Sequence, residues 1–535
     1  MIKAGTATEK ACPICGDEHR SYLFVVRGLP ICQCPGCGLV MLSPQPSPSD
    51  FDTFYNYSPV LTVNGQPLAV DGSGSRLQCA DSETERDAAR RYVQALKNRG
   101  VEKGRVLLIA PLGHPFASEA KSSGYDTVQH LSIRELEEGI LERHDGFDAV
   151  VVCHQLEKAA DAAETIGRIK DAIRPGGVLL LTTPSIASWP RNFLGDQWTE
   201  WRPENRFYFS PDTIQSILLK NGFAKVWVTP DRRQYSLRHI YRRALTMPQT
   251  LLTRAVRLLY RLTPGPFRDM TMRFACSGMI VSATREAQRS RPLCSIVLPA
   301  YNEKNTIAEL MKGLLAKQIP GADKEIIIVE SNSKDGTREL VEEYRSHPEV
   351  RIVLQEKPRG KGNAVRAGFE HALGDILMIQ DADLEYDLND YDALVEPILN
   401  YRAAFVLGAR HGGSWKMRKF NDNSGLATYL NIGHVFFTQL VNTLYRQRMG
   451  DPFTMYKVLR RDCLYGLTFE CNRFDFDFEL VIKLVRKGYT PLELPVNYRS
   501  RSFKEGKKVR MFRDPISWIW ASFKYRFVKI SKPPH

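Results

Sequence analysis

The sequence predicts an α/β protein in which two parallel-sheet domains follow a small cysteine-based module. Three observations carry this: short apolar runs alternate with amphipathic helical stretches, polar breaks interrupt that rhythm twice, and four cysteines near the start stand in two C-x2-C pairs. A chain of 535 residues is also too long for one hydrophobic core. Composition and pattern place a module at 1–50, a linker at 51–78, an α/β domain at 79–285, a linker at 286–292, a second α/β domain at 293–510 and a tail at 511–535.

The opening segment MIKAGTATEKACPICG lacks the apolar stretch of a secretory signal, so the expected compartment is the reducing cytoplasm, where eleven cysteines do not suggest disulfides. Cys12-Pro-Ile-Cys15 and Cys34-Pro-Gly-Cys37, 18 residues apart, have the spacing of a closed four-thiolate zinc shell, with Gly16 and Gly38 relieving the turns. A closed shell has no open position for water, so a structural Zn2+ is expected. Cys32 is left as a spare, and SYLFVVRGLPICQC between the pairs reads as a hairpin, making the module a zinc ribbon.

From SETERDAARRYVQALKNRG onward the pattern is helix, then the buried strands RVLLIA, DAVVVCHQL and GVLLLTTP, with ACSGMIVSATRE as a last strand. Together with CPGCGLVMLSPQPS, FDAVVVCHQLEKAADAAETIGRIKDAIRPGGVLLLTTPSIAS and YFSPDTIQSILLKNGF, this stretch resembles class I S-adenosylmethionine-dependent methyltransferases, in particular those carrying a zinc ribbon in surface-polysaccharide pathways. The resemblance implies a Rossmann-like sheet. It stops at the cofactor grip: the family's glycine-rich turn is replaced by Leu108-Ile-Ala-Pro-Leu-Gly-His-Pro-Phe116, and Leu131 stands where the family places a ribose-binding acid. We therefore read a fold retained without methyl transfer and expect no S-adenosylmethionine. His154 and Glu157 match the family's post-strand site and are given no catalytic role.

The basic insertion 232–272 includes LRHIYRRALTMPQTLLTRAVRLLYRL, with apolar residues at near-helical intervals between arginines. It could lie on an anionic bilayer, cap the sheet or form a homodimer contact.

The second α/β domain opens with CSIVLPAYNEKNTI and EIIIVESNSKDGT, an arrangement that resembles family 2 glycosyltransferases of the GT-A fold, a nucleotide-binding α/β sheet. Strands ending in acids and small polar residues place them at the carboxyl edge of a parallel sheet, where such folds bind ligands. The expected donor-binding set is Pro299, Tyr301, Glu303, Glu330, Asp335, Lys361, Asp381 and Asp383, with Glu330 facing the base or ribose. Arg359-Gly-Lys-Gly362 reads as a flexible basic loop, and GDILMIQ delivers Asp381-Ala-Asp383 at a strand end. Paired carboxylates at i and i+2 suit Mg2+ or Mn2+ bridging the diphosphate of a nucleoside diphosphate sugar.

GKGNAVRAG, QDADLEYD, LGARHGGS, GDPFTMYKVLRRD, FDFDFELVIKLVRKGY and VNYRSRSFKEGKK are similar to dolichyl-phosphate mannosyltransferase-like members of that family. This resemblance implies inversion at the sugar and makes Arg410 and Lys457 contacts to an acceptor phosphate. Asp383 is assigned to catalysis, together with Asp477 and Glu479 as candidate general bases; strand alternation is the other reading of FDFDFEL.

A net charge of +14 calls for anionic partners. The excess lies in 232–261 and 499–532, mixed with apolar and aromatic residues and without any nucleic-acid-binding signature, which favours an anionic membrane surface over nucleic acid. The tail DPISWIWASFKYRFVKI is too short and too charged to span a bilayer and reads as an interfacial helix. The expected function is metal-dependent transfer of a hexose to a polyprenyl phosphate or glycolipid at the inner membrane face. A bifunctional methyltransferase and glycosyltransferase, and a non-catalytic scaffold binding lipid-linked sugar, are the alternatives.

Overall fold

A computed structural model of the chain describes residues 11–26, 28–45, 62–63, 66–67, 82–140, 146–202, 204–245, 251–287, 289–410, 424–499 and 513–530. Most of the 51–78 linker, the centre of the basic insertion, HGGS after Arg410 and the basic run 500–512 lie outside the described residues. The chain forms two compact units, residues 1–287 with 534–535, and residues 288–533.

In the first unit, β1 (Ser21–Val26), β2 (Leu29–Gln33) and β3 (Val40–Leu42) form an antiparallel ribbon, and β3 pairs with β8 (Phe207–Tyr208), so the ribbon is continuous with its host domain. The joint is filled by Trp198, Trp201 and Tyr208, whose rings meet edge to face.

The larger sheet contains β4 (Arg105–Ile109), β5 (Thr127–Leu131), β6 (Phe147–Cys153), β7 (Ile173–Pro184), β9 (Phe223–Ser236) and β10 (Thr271–Arg285), in the order β9-β10-β7-β6-β4-β5. β4 to β7 are mutually parallel and β10 is antiparallel to both neighbours. The central strands are almost wholly apolar because helices such as α1 (Ser82–Lys97), α2 (Phe116–Ser122), α3 (Ala162–Ala172) and α4 (Pro211–Lys220) cover them. β9 and β10 continue as a two-stranded arm to the Ser236–Thr271 pair and carry α5 (Leu237–Leu245) and α6 (Leu251–Leu262).

The second unit has a seven-stranded sheet of β11 (Leu293–Ala300), β12 (Asp323–Glu330), β13 (Val350–Leu354), β14 (Ile376–Ile379), β15 (Phe405–Ala409), β16 (Lys457–Arg460) and β17 (Leu492–Pro495), ordered β13-β12-β11-β14-β16-β15-β17. The four strands from β13 to β14 are parallel, and β16 is antiparallel to both of its neighbours. Flanking helices include α7 (Ile307–Ala316), α8 (Thr337–Glu342), α9 (Lys361–His371), α10 (Tyr391–Leu399), α11 (Ser424–Tyr445), α12 (Asp475–Lys487) and α13 (Arg513–Phe527).

One sequence expectation changes here. FDFDFEL lies on α12, not on a strand; both faces of that turn are buried, so an alternating pattern suits it. The tail helix α13, read as interfacial, docks one face on its own unit, with Tyr525 buried and Trp518 packed on Phe437 and Phe478, while Trp520, Phe523 and Phe527 remain exposed. Among the described residues no helix is long and apolar enough to cross a membrane.

Candidate active site at the carboxyl edge of the second sheet

Three adjacent parallel strands, β12, β11 and β14, end at one carboxyl edge of the sheet, the crevice side of such a fold. β11 leads into Tyr301-Asn302-Glu303, β12 ends at Glu330, and β14 ends two residues before Asp381. The two outer loops are tied together: Asn302 N donates to Ser333 Oγ at 2.9 Å and Lys334 N donates to Asn302 Oδ1 at 3.0 Å. Thr306 Oγ1 donates to the Ala382 carbonyl at 2.8 Å, fixing the Asp381–Asp383 turn against the first loop. Below it, Tyr391 OH reaches Gln380 at 2.8 Å in the core.

Lys361 begins α9 and pairs with Asp381. Burial alone would lower its pKa, but the charges of Asp381 and Asp477 hold the ammonium above its ordinary range. The preceding Gly360 has φ +105°, and a Cβ there would stand 2.4 Å from the Asn472 carbonyl oxygen. The RGKG segment is thus packed on the 469–473 loop: Asn363 N donates to Asn472 O at 3.1 Å and Arg366 Nη1 to Phe469 O at 2.6 Å. This corrects the expectation of a flexible loop. Phe474, which the sequence did not single out, places its ring 5.9 Å from the Lys361 ammonium.

Asp383 is 7% exposed and accepts from Glu385 N at 3.1 Å. Asp381, paired with Lys361, and Asp383 thus offer two hard oxygen donors just past the end of β14. That set fits Mg2+ or Mn2+, which bind through one or two carboxylates and complete their shells with phosphate and water.

Other expected residues have different placements. Glu330 is fully buried; it accepts from Ser333 N at 2.7 Å, Asn332 N at 3.1 Å and Arg338 Nε at 2.5 Å, so its carboxylate braces the loop instead of facing a base. Asp335 accepts from Lys304 N at 3.1 Å and Thr337 N at 3.0 Å, a turn-forming role. Pro299 and Tyr301 are half-buried at the crevice, and Glu303 accepts from Thr306 Oγ1 at 3.3 Å.

On the acceptor side, Lys457 is wholly buried in the central strand β16, where its ammonium donates to Asp477 Oδ1 at 2.9 Å and to the Thr454 carbonyl. It cannot meet an acceptor phosphate, which corrects that assignment. Glu479 is also wholly buried and accepts from Cys471 N at 2.8 Å, Glu470 N at 3.0 Å and Lys483 Nζ at 2.5 Å. Its lone pairs are engaged by the loop that packs on Gly360, so it positions rather than takes up a proton. Asp477, in the first turn of α12, is the remaining carboxylate near Lys361. Arg410 makes a bidentate pair with Asp451, Nε–Oδ2 at 2.8 Å and Nη2–Oδ1 at 2.9 Å, with its guanidinium 5.4 Å from the Tyr498 ring centre. Asp451 opens the segment DPFTMYK, but a partner 41 residues away leaves no local signal.

The ribbon cysteines converge. Cys12 and Cys37 sulfurs are 3.5 Å apart, those of Cys15 and Cys34 3.4 Å, and all four lie within 4.8 Å of one another. Tetrahedral zinc thiolates with bonds of about 2.3 Å need sulfur separations of roughly 3.8 Å, so the group fits Zn2+. Cys32 points away and contacts the Ser43 carbonyl.

At the carboxyl edge of the first unit's large sheet, Arg233 crosses to His154 Nε2 at 3.0 Å and pairs with Asp231 at 2.8 Å and Glu85 at 3.0 Å. Leu131 ends β5 as a buried apolar residue, and His130 Nε2 is 2.9 Å from the Ala110 carbonyl.

Residues 295–465 match the family model described as Glycosyl transferase family 2, and residues 83–228 match the one described as Methyltransferase domain. The dolichol-phosphate mannosyltransferase of Pyrococcus furiosus is 26% identical over 215 residues, covering 40% of this chain and 58% of that protein. The undecaprenyl-phosphate 4-deoxy-4-formamido-L-arabinose transferase of an Enterobacter species is 26% identical over 217 residues, covering 40% of this chain and 62% of that protein. The chain thus spans less than two thirds of the length of either relative. Among solved structures, glucosyl-3-phosphoglycerate synthase from Mycobacterium tuberculosis in complex with UDP matches with a TM-score of 0.33 and 20% identity, covering 45% of this chain and 82% of that one.

Proposed function

From the family 2 glycosyltransferase domain in its C-terminal half, we propose that this chain moves a hexose from a nucleoside diphosphate sugar to a polyprenyl phosphate or glycolipid, with inversion, in surface-glycan synthesis. The observation that carries the reading is the convergence of Asp381, Asp383 and Lys361 at the end of β14, inside the segment that matches the family. The acceptor class is supported by the relatives, whose names specify dolichol phosphate and undecaprenyl phosphate. In this reading the reaction runs at the cytoplasmic membrane face, against an anionic surface.

Asp381 and Asp383 would hold a divalent cation, which neutralises charge on the departing diphosphate. Lys361 shares its ammonium between Asp381 and the diphosphate that approaches it. Tyr301 and Glu303 line the donor side of the crevice. The acceptor oxygen attacks the anomeric carbon opposite the diphosphate; the new C–O bond forms as the bond to the β-phosphate oxygen breaks. A phosphate acceptor is already anionic and needs no base, whereas a glycolipid hydroxyl would give its proton to Asp477. Arg410 commits Nε and Nη2 to Asp451 and would meet an acceptor phosphate only through Nη1.

The first unit supplies no methyl transfer in this reading. Leu131, Pro111 and Pro115 in the expected cofactor grip, and the Arg233 network beside His154, support that view.

Incubation of the purified chain with Mn2+ and a panel of nucleoside diphosphate sugars tests the proposal. Metal-dependent release of a nucleoside diphosphate is expected with at least one donor. Absence of release across the panel, with polyprenyl phosphate present, would reject it.

A further inference from the structure

We infer that the helical hairpin carried on the β9–β10 arm is a membrane-docking surface for anionic phospholipid. Helix α6 sorts its residues onto three faces. Thr253 is buried and Val256 and Tyr260 are half-buried on the inner face, where Tyr260 stacks on Tyr241 of α5 at 4.0 Å and receives the Arg268 guanidinium at 4.6 Å. Leu258, Leu259 and Leu262 are 58%, 55% and 73% exposed, and Phe267, Met270 and Met272 beyond the helix are exposed as well. Arg254 and Arg261 are exposed along the flank of that leucine face.

An amphipathic helix normally turns its apolar face to the core. Here the inner face is already packed, and a contiguous apolar surface points to solvent, the signature of an interaction site. Its charge identifies the occupant. Residues 237–262 contain six arginines, Arg238, Arg242, Arg243, Arg254, Arg257 and Arg261, and neither Asp nor Glu. Two copies meeting through this surface would bring those charges face to face, which disfavours a self-contact. Phosphodiester recognition by arginine alone would not require the leucines. A bilayer of anionic phospholipid satisfies both features, taking the leucines among its acyl chains while the arginines reach its phosphates. Arg238 pairs with Asp269 at 2.6 Å across the base of the hairpin, so the two helices are held as one platform.

This inference deepens the proposed function by naming the surface through which the enzyme meets its lipid. It is tested without donor, so its failure is separate from failure of the transfer reaction. The full chain is floated with phosphatidylcholine vesicles with and without phosphatidylglycerol, at low and high salt. The wild type should float only with the anionic vesicles, and less as salt rises. Leu258→Glu combined with Leu262→Glu should reduce flotation by about tenfold or more at either salt, and Arg254→Gln combined with Arg261→Gln should weaken it chiefly at low salt, where the arginine–lipid attraction is least screened. All four positions are exposed, so unchanged melting and unchanged nucleotide release in vesicle-free buffer are expected of both variants. Wild-type protein that stays unfloated with anionic vesicles, or a leucine variant that floats as well as wild type, would overturn the inference. So would a wild-type dimer that the leucine variant converts to monomer, because the surface would then be a self-contact.

Discussion

Replacing Arg410 with methionine should destabilise the C-terminal unit before it reports on any acceptor. Asp451 is wholly buried and the Arg410 side chain is 8% exposed, so the pair is almost fully withdrawn from water. Burial alone would raise the Asp451 pKa, but the adjacent guanidinium holds it well below the usual carboxylate range. Removing the guanidinium leaves a buried carboxylate whose charge has lost its partner, a loss of about 3–5 kcal/mol. A domain stable by about 5–15 kcal/mol would feel that strongly. Asp451→Asn alone should also cost stability, whereas Arg410→Met with Asp451→Asn should lose less than the sum of the singles, because no buried charge remains. The pair's contribution is complete above the unfolded aspartate pKa of about 3.9 and fades as acidification passes through the lower folded value. Urea unfolding of the full chain, separated into transitions of the two units, gives the cycle. An Arg410→Met transition within about 0.5 kcal/mol of wild type would refute the structural pair and free Arg410 wholly for the acceptor.

Cys34→Ser should release the zinc and unfold the ribbon around residues 11–45 while leaving nucleotide release intact, since structural zinc contributes about 10 kcal/mol or more to such modules; metal analysis of the wild type should find one zinc per chain. Calorimetry should detect no S-adenosylmethionine binding, and micromolar affinity would contradict the loss of the cofactor grip. His114 accepts from Phe116 N through Nδ1 at 3.2 Å, and burial pushes its pKa down to about 4. Its folded value therefore lies below the unfolded one, and stability present above about pH 6.5 should be lost as pH falls towards 4, by about 1–2 kcal/mol for this half-buried ring. His114→Asn keeps an acceptor for that N–H and should flatten the thermal melting profile of the first unit over this window.

Much of the architecture was legible because strand and helix periods differ and because cysteine pairs constrain one another. β4, β6 and β7 each carry a buried apolar run, Val106–Ile109, Ala149–Cys153 and Val178–Leu181, as strands covered on both faces must, and the four thiols could be grouped from spacing alone. The Asp381–Asp383 turn was readable for the same reason: a buried run that ends in acids marks a sheet edge. Lys457 was not, since a lysine in a family motif reads as a solvent-facing charge until β16 is seen to lie between β14 and β15. Glu330 and Glu479 misled in a similar way: which lone pairs of a carboxylate are already taken depends on backbone N–H groups that only the fold brings near. The docking of one face of the tail helix left no signal, because its docked residues, Trp518 and Tyr525, are as aromatic as its exposed ones.

Asp383, just past the end of β14, is assigned to sugar transfer to a lipid carrier. Asp383→Asn is the direct perturbation, because it keeps the Oδ1 acceptor for Glu385 N and removes only the charge. Wild type and variant are incubated with Mn2+, polyprenyl phosphate and the labelled nucleoside diphosphate sugar that the panel selects, and label in the organic phase is counted. Wild type should yield a lipid-linked sugar, and the variant should lose at least about a hundredfold of it at unchanged melting temperature. Equal labelling of the lipid by both proteins would contradict that assignment.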